Sequence, residues 1–287
     1  MPDSPFTNLD RPPLQQAALT RALVRPGSLW SSVTVVDSTG STNADLAAAA
    51  GQGAPEGAVL VAEEQVTGRG RLGRSWSAPA RSGLTFSVLL RPTVPPARHG
   101  WLPLLFGVAA ASAVRRVAEV DVRLKWPNDL LAGELKLAGV LAERVEDAVI
   151  IGMGLNVTLR EAELPVPTAT SLAIELARAG RPAQGHDLER VAGTDRDPLL
   201  RAILRELEQH YRDWTAADGD ADASGLRAAY QAASATIGRE VRVELPGDRT
   251  LTGTATGVDA SGQLQVSAPD GEHTLSAGDV VHVRPSS

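Results

Sequence analysis

The sequence predicts an α+β chain, with a mixed, largely antiparallel sheet and its helices followed by a small β-barrel. Three observations carry this prediction. Short strand-like apolar runs alternate with helical stretches over short connections through residues 33–151. A helical-period stripe follows Pro198, and after Ile237 the period changes to two. The 287 residues suffice for one large domain or two ordinary ones. With 43% hydrophobic and 22% charged residues, a disordered or fibrous chain is excluded.

In order along the chain, the first thirty or so residues are punctuated by Pro2, Pro5, Pro12, Pro13 and Pro26, with one short helical candidate over 14–24. They read as an arm. Strands are predicted over 33–36, 58–62 and 84–90. Between the first two, Ser41-Thr42-Asn43 ahead of Ala44-Asp45-Leu46 is a good helix start. A longer helix is predicted over 102–118, then strands over 122–126, 136–142 and 148–151. Asp197-Pro198 supplies a cap and a first-turn proline for a helix whose Leu200, Ile203, Leu204, Leu207, Tyr211 and Trp214 recur at helical spacing. Residues 215–225 read as a loop. Val241, Val243 and Leu245, then Leu264 and Val266, then Val281 and Val283 alternate as strands. Turn signals separate them at Pro246-Gly247-Asp248, Ser261-Gly262 and Pro269-Asp270-Gly271.

Composition removes several chemistries. The absence of cysteine excludes disulfides, thiolate catalysis and cysteine-ligated metals. His99, His186, His210, His273 and His282 are scattered and form no metal-binding pair. The apolar run over 101–114 is interrupted by Pro103 and is too short for a bilayer; with no signal-like start, a cytoplasmic protein is expected. The formal net charge of -6 argues against a general nucleic-acid binder. Yet residues 65–118 hold no Asp or Glu while carrying Arg69, Arg71, Arg74, Arg81, Arg91, Arg98, Arg115 and Arg116. A solvated basic face explains such a run, but not why three of these arginines alternate with glycine. A site for an anion explains both.

Gly68-Arg69-Gly70-Arg71-Leu72-Gly73-Arg74-Ser75-Trp76 formally contains G-x-G-x-x-G. Pro79 and Gly83 oppose the helix that a dinucleotide site requires, no acid follows before Glu119, and no Walker lysine is present. Glycines instead let the backbone wrap closely round a ligand while guanidinium forks grip carboxylate or phosphate oxygens. Trp76 either stacks on a base or is plain core. Lys125-Trp126-Pro127-Asn128-Asp129-Leu130 is followed by Lys136-Leu137-Ala138-Gly139-Val140-Leu141. A lysine in an apolar strand is either paired or at a solvent edge. Gly152-Met153-Gly154-Leu155-Asn156 ends an apolar strand in small residues and an amide, at a site or at an ordinary β-turn.

"GSTNADL", "GRGRLGRSW", "KWPNDLL", "KLAGVL" and "GMGLNV", in this order, resemble the biotin–protein ligases (biotin–[acetyl-CoA-carboxylase] ligases) over roughly residues 33–284. The resemblance implies a class II synthetase-like ligase core and a C-terminal SH3-like barrel. The domains expected are an arm over 1–30, a catalytic domain over 31–235 and a barrel over 236–287. It assigns Ser41, Thr42 and Asn43 to biotin, alongside simple N-capping, with Gln65 at the ureido ring. Arg69, Gly70 and Arg71 match the loop that closes over biotin and the adenylate, and Lys136 matches the lysine meeting the biotin carboxylate and reacting phosphate. Gly68, Arg71, Arg74, Trp76, Lys125, Asn128 and Asn156 fall on the nucleotide side. The metal ligands are unassigned.

The implied reaction joins biotin to ATP with Mg²⁺, giving biotinyl-5′-AMP, and transfers biotin to a lysine of a biotin carboxyl carrier domain of acyl-CoA or pyruvate carboxylases. Arg71, Lys136 and Asp129 are the catalytic candidates; Asp129 is either the group that orients or deprotonates the incoming lysine or half of a turn-forming Asn-Asp pair. About forty proline-broken residues ahead of the biotin motif leave no room for a helix-turn-helix module, so a ligase without operator binding is expected, with neither nucleic acid nor membrane as partner. The shared fold makes a lipoate–protein ligase the nearest rival. A nucleic-acid module built on the arginine loop leaves Lys136 and the S-T-N helix unexplained.

Overall fold

The computed structural model describes residues 11–181, 193–245, 249–276 and 278–283. In chain order the elements are α1 (Gln16–Leu23), β1 (Ser32–Val36), α2 (Thr42–Gly51), β2 (Ala58–Ala62), β3 (Gly68–Arg69), β4 (Ser75–Trp76), β5 (Gly83–Leu90), α3 (Trp101–Ala118), β6 (Val122–Lys125), β7 (Asp129–Ala132), β8 (Leu135–Val145) and β9 (Ala148–Asn156). There follow α4 (Leu172–Arg178), α5 (Arg196–Ala216), α6 (Leu226–Ala233), β10 (Glu240–Leu245), β11 (Arg249–Val258), β12 (Leu264–Ala268), β13 (Gly271–Leu275) and β14 (Asp279–His282).

Seven strands form one sheet in the order β1-β2-β5-β9-β8-β7-β6. β1 and β2 are parallel and every other pair is antiparallel, as the sequence pattern predicts. Period-two strands buried on both faces require helices on both sides. Val59, Val61, Phe86 and Val88 pack with α1, α3 and α5 on one face. Leu60, Leu89 and Ile150 pack with Leu46 and Ala50 of α2 on the other. β9 is buried along all nine residues, so the glycines of "GMGLN" lie inside the central strand rather than in a turn.

Two helix boundaries differ from the sequence reading. α3 begins at Trp101, with Pro103 in its first turn, where a missing N–H leaves no intrahelical bond unmade. The apolar run is therefore one continuous helix, long and apolar enough by composition to cross a membrane but 72% buried as the core helix of the fold. α5 is capped by Asp195, whose side chain accepts from the Asp197 amide, so Pro198 is the third helical residue, two positions deeper than expected.

The chain end forms a five-stranded antiparallel sheet in the order β13-β12-β11-β10-β14. Val241, Val243, Ala255, Val258, Leu264, Val266 and Val280 fill its inner face. The parity of β14 is the reverse of that read from the sequence. Val280 points inward, while Val281 and Val283 are 38% exposed, because one residue of register exchanges the two faces of a strand. The predicted turns at Ser261-Gly262 and Pro269-Asp270-Gly271 are present; Pro246-Gly247-Asp248 lies outside the described residues. The two domains meet where Trp101 Nε1 donates to Ala260 O (3.1 Å) and Trp126 Nε1 to Gly262 O (3.3 Å). Gly100 is required there, since a Cβ would stand 2.2 Å from Ser261 O.

Residues 11–30 pack onto the seven-stranded sheet. Glu63 and Arg196 form an ion pair at 2.5 Å with side chains 3% and 5% exposed. Glu63 also accepts from the Leu14 amide (2.6 Å) and Arg196 donates to Pro12 O (2.6 Å), so one buried pair fastens the arm to β2 and α5. Breaking such a pair strands a charge in the interior. Arg196→Met should cost about 3–5 kcal/mol in urea unfolding, and Glu63→Leu/Arg196→Met together should cost less than Arg196→Met alone. A double variant weaker than the single one shows that the pair does not carry the arm.

Candidate functional site

A cavity of about 590 Å³ opens where α2, the β3–β4 hairpin and the ends of β6 to β9 converge. Its floor is polar and neutral. Ser41 caps α2 by accepting from the Ala44 amide, which turns Thr42 and Asn43 towards β5 and β9. The Asn43 amide is fixed by its partners: Nδ2 donates to Leu141 O (3.2 Å) and to Glu143 Oε2 (2.6 Å), leaving Oδ1 to accept from Ser87 Oγ (2.6 Å). Ser87 Oγ also lies 2.7 Å from Thr42 Oγ1, and Gln65 Oε1 accepts from the Thr42 amide (2.8 Å) and hydroxyl (2.9 Å). Gly152 makes room for this network, since a Cβ there would meet Asn43 Oδ1 at 2.1 Å.

The walls are charged. Five cationic side chains (Arg69, Arg71, Arg74, Lys125, Lys136) line the cavity against three carboxylates (Asp129, Glu134, Asp279), a positive excess in a chain of net charge -6. Lys136 lies across Gly139, where a Cβ would stand 3.3 Å from its Nζ. Its ammonium pairs with Asp129 at 2.7 Å and is 34% exposed. It also stands 6.0 Å from the Trp76 ring, which is seated on Gly154. Asp129 sits opposite Lys125 in the β6–β7 ladder, so one carboxylate serves two lysines. Burial depresses the Lys125 pKa, aided by Lys136 and Arg74 and opposed by Asp129. Burial likewise lowers Arg71, with Asp129 opposing.

Asn128 donates to Val140 O (2.9 Å) and accepts from Arg71 Nη1 (3.4 Å), bracing the loop against β8. Asn156 Nδ2 donates to Thr170 O (2.9 Å). Beyond the loop lies a second groove of about 810 Å³, which shares Arg69, Gly70, Arg71, Arg74 and Asn128 with the cavity.

Of the site residues assigned from the sequence, all but Gly68 line the cavity; of the eight arginines in the acid-free stretch only Arg69, Arg71 and Arg74 do, while Arg91, Arg98 and Arg116 pair with Asp147, Asp220 and Glu206 elsewhere. Gly68 instead allows the hairpin to close, since a Cβ there would stand 2.3 Å from Trp76 O. Thr85 on the cavity wall and Ser87 behind Asn43 belong to no motif, and their signal in the sequence is two hydroxyls in the otherwise apolar strand 84–90. Glu134, Asp279, Val281 and His282 also line the cavity and carry no sequence motif. Among the described residues no cluster of three His, Asp or Glu has metal-binding geometry. Asp129, Glu134 and Asp279 are each matched with a cation. This donor set suits a magnesium ion that arrives on substrate phosphates rather than in a protein cage.

The His282 imidazole is 7% exposed, near Thr236, Arg239 and Glu134. Burial, Lys125 and Arg239 lower its pKa, with Glu134 opposing. Folded His282 therefore binds fewer protons than the unfolded residue, whose pKa is about 6.5, and stability falls as pH drops below that value. Urea unfolding at about pH 7.5 and about pH 5.5 should show a smaller acid loss for His282→Asn than for the parent. Equal losses exclude His282 as the cause.

The chain matches the Biotin/lipoate A/B protein ligase family over residues 34–156 and the Biotin protein ligase C terminal domain over residues 236–283. It is 43% identical to the biotin–[acetyl-CoA-carboxylase] ligase of Mycobacterium tuberculosis, over 96% of this chain and 97% of that protein. It is 31% identical to the bifunctional ligase/repressor BirA of Escherichia coli, over 81% of this chain and 68% of that protein. A solved structure of the biotin protein ligase from Aquifex aeolicus in complex with biotin and ATP superposes with a TM-score of 0.71 at 27% identity, covering 89% of this chain and 100% of that one. Two domains matched in order, across nearly the whole length of a ligase, place the chain in the biotin–protein ligases of the biotin/lipoate A/B protein ligase family.

Proposed function

We propose that the cavity binds biotin and ATP, forms biotinyl-5′-AMP, and passes biotin to a lysine of a biotin carboxyl carrier domain of acyl-CoA or pyruvate carboxylases. The observation that carries this reading is a floor of amides and hydroxyls beside a wall with more cations than carboxylates, in one cavity. Thr42, Asn43 and Gln65 offer the mixed donors and acceptors that suit a neutral ureido head. Lys136 and Arg71 suit an acid tail, and Arg74, Lys125, Asn128, Trp76 and Asn156 suit a nucleotide.

In the first step a biotin carboxylate oxygen attacks the α-phosphorus of MgATP. A P–O bond forms, the bond to the bridging oxygen breaks, and pyrophosphate leaves. The carboxylate, with a reference pKa near 4, needs no base. Its obstacle is the approach of two anions, which fixed cations relieve without reorganising. In the second step a lysine amine attacks the acyl carbon and AMP leaves. The amine starts as an ammonium of pKa about 10.4, and Asp129, already facing Lys125 and Lys136, accepts or orients its proton. A cytoplasmic location completes the reading.

Biotin-dependent ATP–pyrophosphate exchange followed by transfer to a carrier domain tests this reading, with lipoate as a competitor that should have no effect. Lys136→Ala should lower exchange about 10²–10³-fold, and near-normal exchange removes Lys136 from the chemistry. Because Asp129 holds Lys136, the informative change is Asp129→Asn, which keeps an acceptor for the ammonium but removes the base. Exchange should persist while transfer falls about 10²–10⁴-fold; equal loss of both steps rejects that role. Gly152→Ala should displace Asn43 at a stability cost of about 1–3 kcal/mol, with biotin affinity in calorimetry falling at least about tenfold and ATP affinity retained. Unchanged biotin affinity removes the floor from the biotin site.

A further inference from the structure

We propose that Asp279 of the C-terminal domain is a positioning residue that latches the arginine loop over the cavity, so that this domain governs how long the adenylate is retained. The inference extends the ligase reading above. The loop is weakly held at its base, where the β3–β4 ladder has two residue pairs, Gly68 with Trp76 and Arg69 with Ser75. Its outer part rests on the start of β14: Arg71 Nη1 donates to Gly278 O (3.3 Å) and Arg74 forms an ion pair with Asp279.

That anchor is firm. β14 pairs with β10, Val280 opposite Val243 and Asp279 opposite Glu244. Val280 is buried in the inner face, which turns Asp279 outward to the cavity. At Gly278 a Cβ would stand 2.6 Å from Val243 Cγ1, so the carbonyl that receives Arg71 is seated by direct backbone approach. The loop itself separates the cavity from the neighbouring groove, so its position decides whether a reactive adenylate is enclosed. The ion pair is suited to opening: Arg74 is 61% exposed and Asp279 21% exposed. An exposed pair changes an equilibrium by about fivefold at most and weakens with salt, which permits substrate entry at each turnover.

Limited trypsin digestion reads the latch directly, since Arg69, Arg71 and Arg74 are themselves cleavage sites, without biotin or ATP. Rates come from the masses of the loop fragments, normalised to trypsin activity on a small peptide. At low salt Asp279→Asn should be cut in the loop about two- to fivefold faster than the parent. In about 1 M salt, where screening acts over about 3 Å, the two should converge, and Asp279→Glu should stay near the parent. Equal rates at low salt overturn the proposal, as does an excess that salt leaves unchanged. Should Asp279→Asn not fold, a parent loop whose cleavage is insensitive to salt overturns it equally. In the second arm Asp279→Asn should release biotinyl-5′-AMP about two- to fivefold faster; parental release overturns the role in retention. A parent that forms no adenylate defeats the ligase reading instead, while the digestion still decides the contact.

Discussion

The structure turns on keeping five cationic side chains at one cavity with three carboxylates to balance them. Like charges in a partly buried site repel, and burial penalises each of them. Arg71 and Lys125 carry that penalty as lowered pKa values. The fold distributes the compensation with economy. Asp129 lies between two lysines, Asp279 holds Arg74 from another domain, and Glu134 faces Arg239 and His282. What is left over is a positive excess whose geometry is set before any ligand arrives. Preorganised charge of this kind is what an anion-joining reaction requires, since no reorganisation is then needed at the barrier.

The neutral half of the cavity follows a different physical rule. Ser87, Thr42 and Asn43 are buried, so each polar atom must be satisfied within the protein or by a ligand. Hydrogen bonds from α2 to β5, β8 and the Gln65 segment lock the Asn43 amide in one orientation, and Gly152 makes the close approach possible. The N-cap of α2 is therefore more than a helix terminus. It aligns Thr42 and Asn43 against the sheet, so the N-capping read from Ser41-Thr42-Asn43 also sets the shape of the cavity floor.

Legibility in the sequence tracked local signal. Strands with dense apolar runs, such as 58–62 and 84–90, were read close to their observed limits. β7 is four residues inside a motif read for its chemistry, and β11 is built on threonine and glycine without apolar alternation; neither was predicted. α4 and α6, of seven and eight residues, are too short to show a period. Lys136 met neither alternative fully, since it is half-exposed and also paired. Trp76 likewise packs on Gly154 yet lines the cavity. The residues missed at the site arrive through long-range topology: Asp279 and His282 lie about 140 residues from Lys136 along the chain, and only the folded sheet order brings them together.

That topology explains why the C-terminal domain belongs to the site and is more than an appendage. Its position is set at the turn 259–262, where the Trp101 and Trp126 indoles donate to backbone carbonyls and Gly100 admits close contact. Trp126 directly follows Lys125 and stands two residues before Asn128, so the segment that docks the domain also carries cavity residues. A shift of the domain then moves two parts of the wall together: the Lys125–Asn128 corner through Trp126, and the arginine loop through β14. Coupling through one rigid turn and one strand needs no longer pathway, because both contacts are made by the same five-stranded sheet.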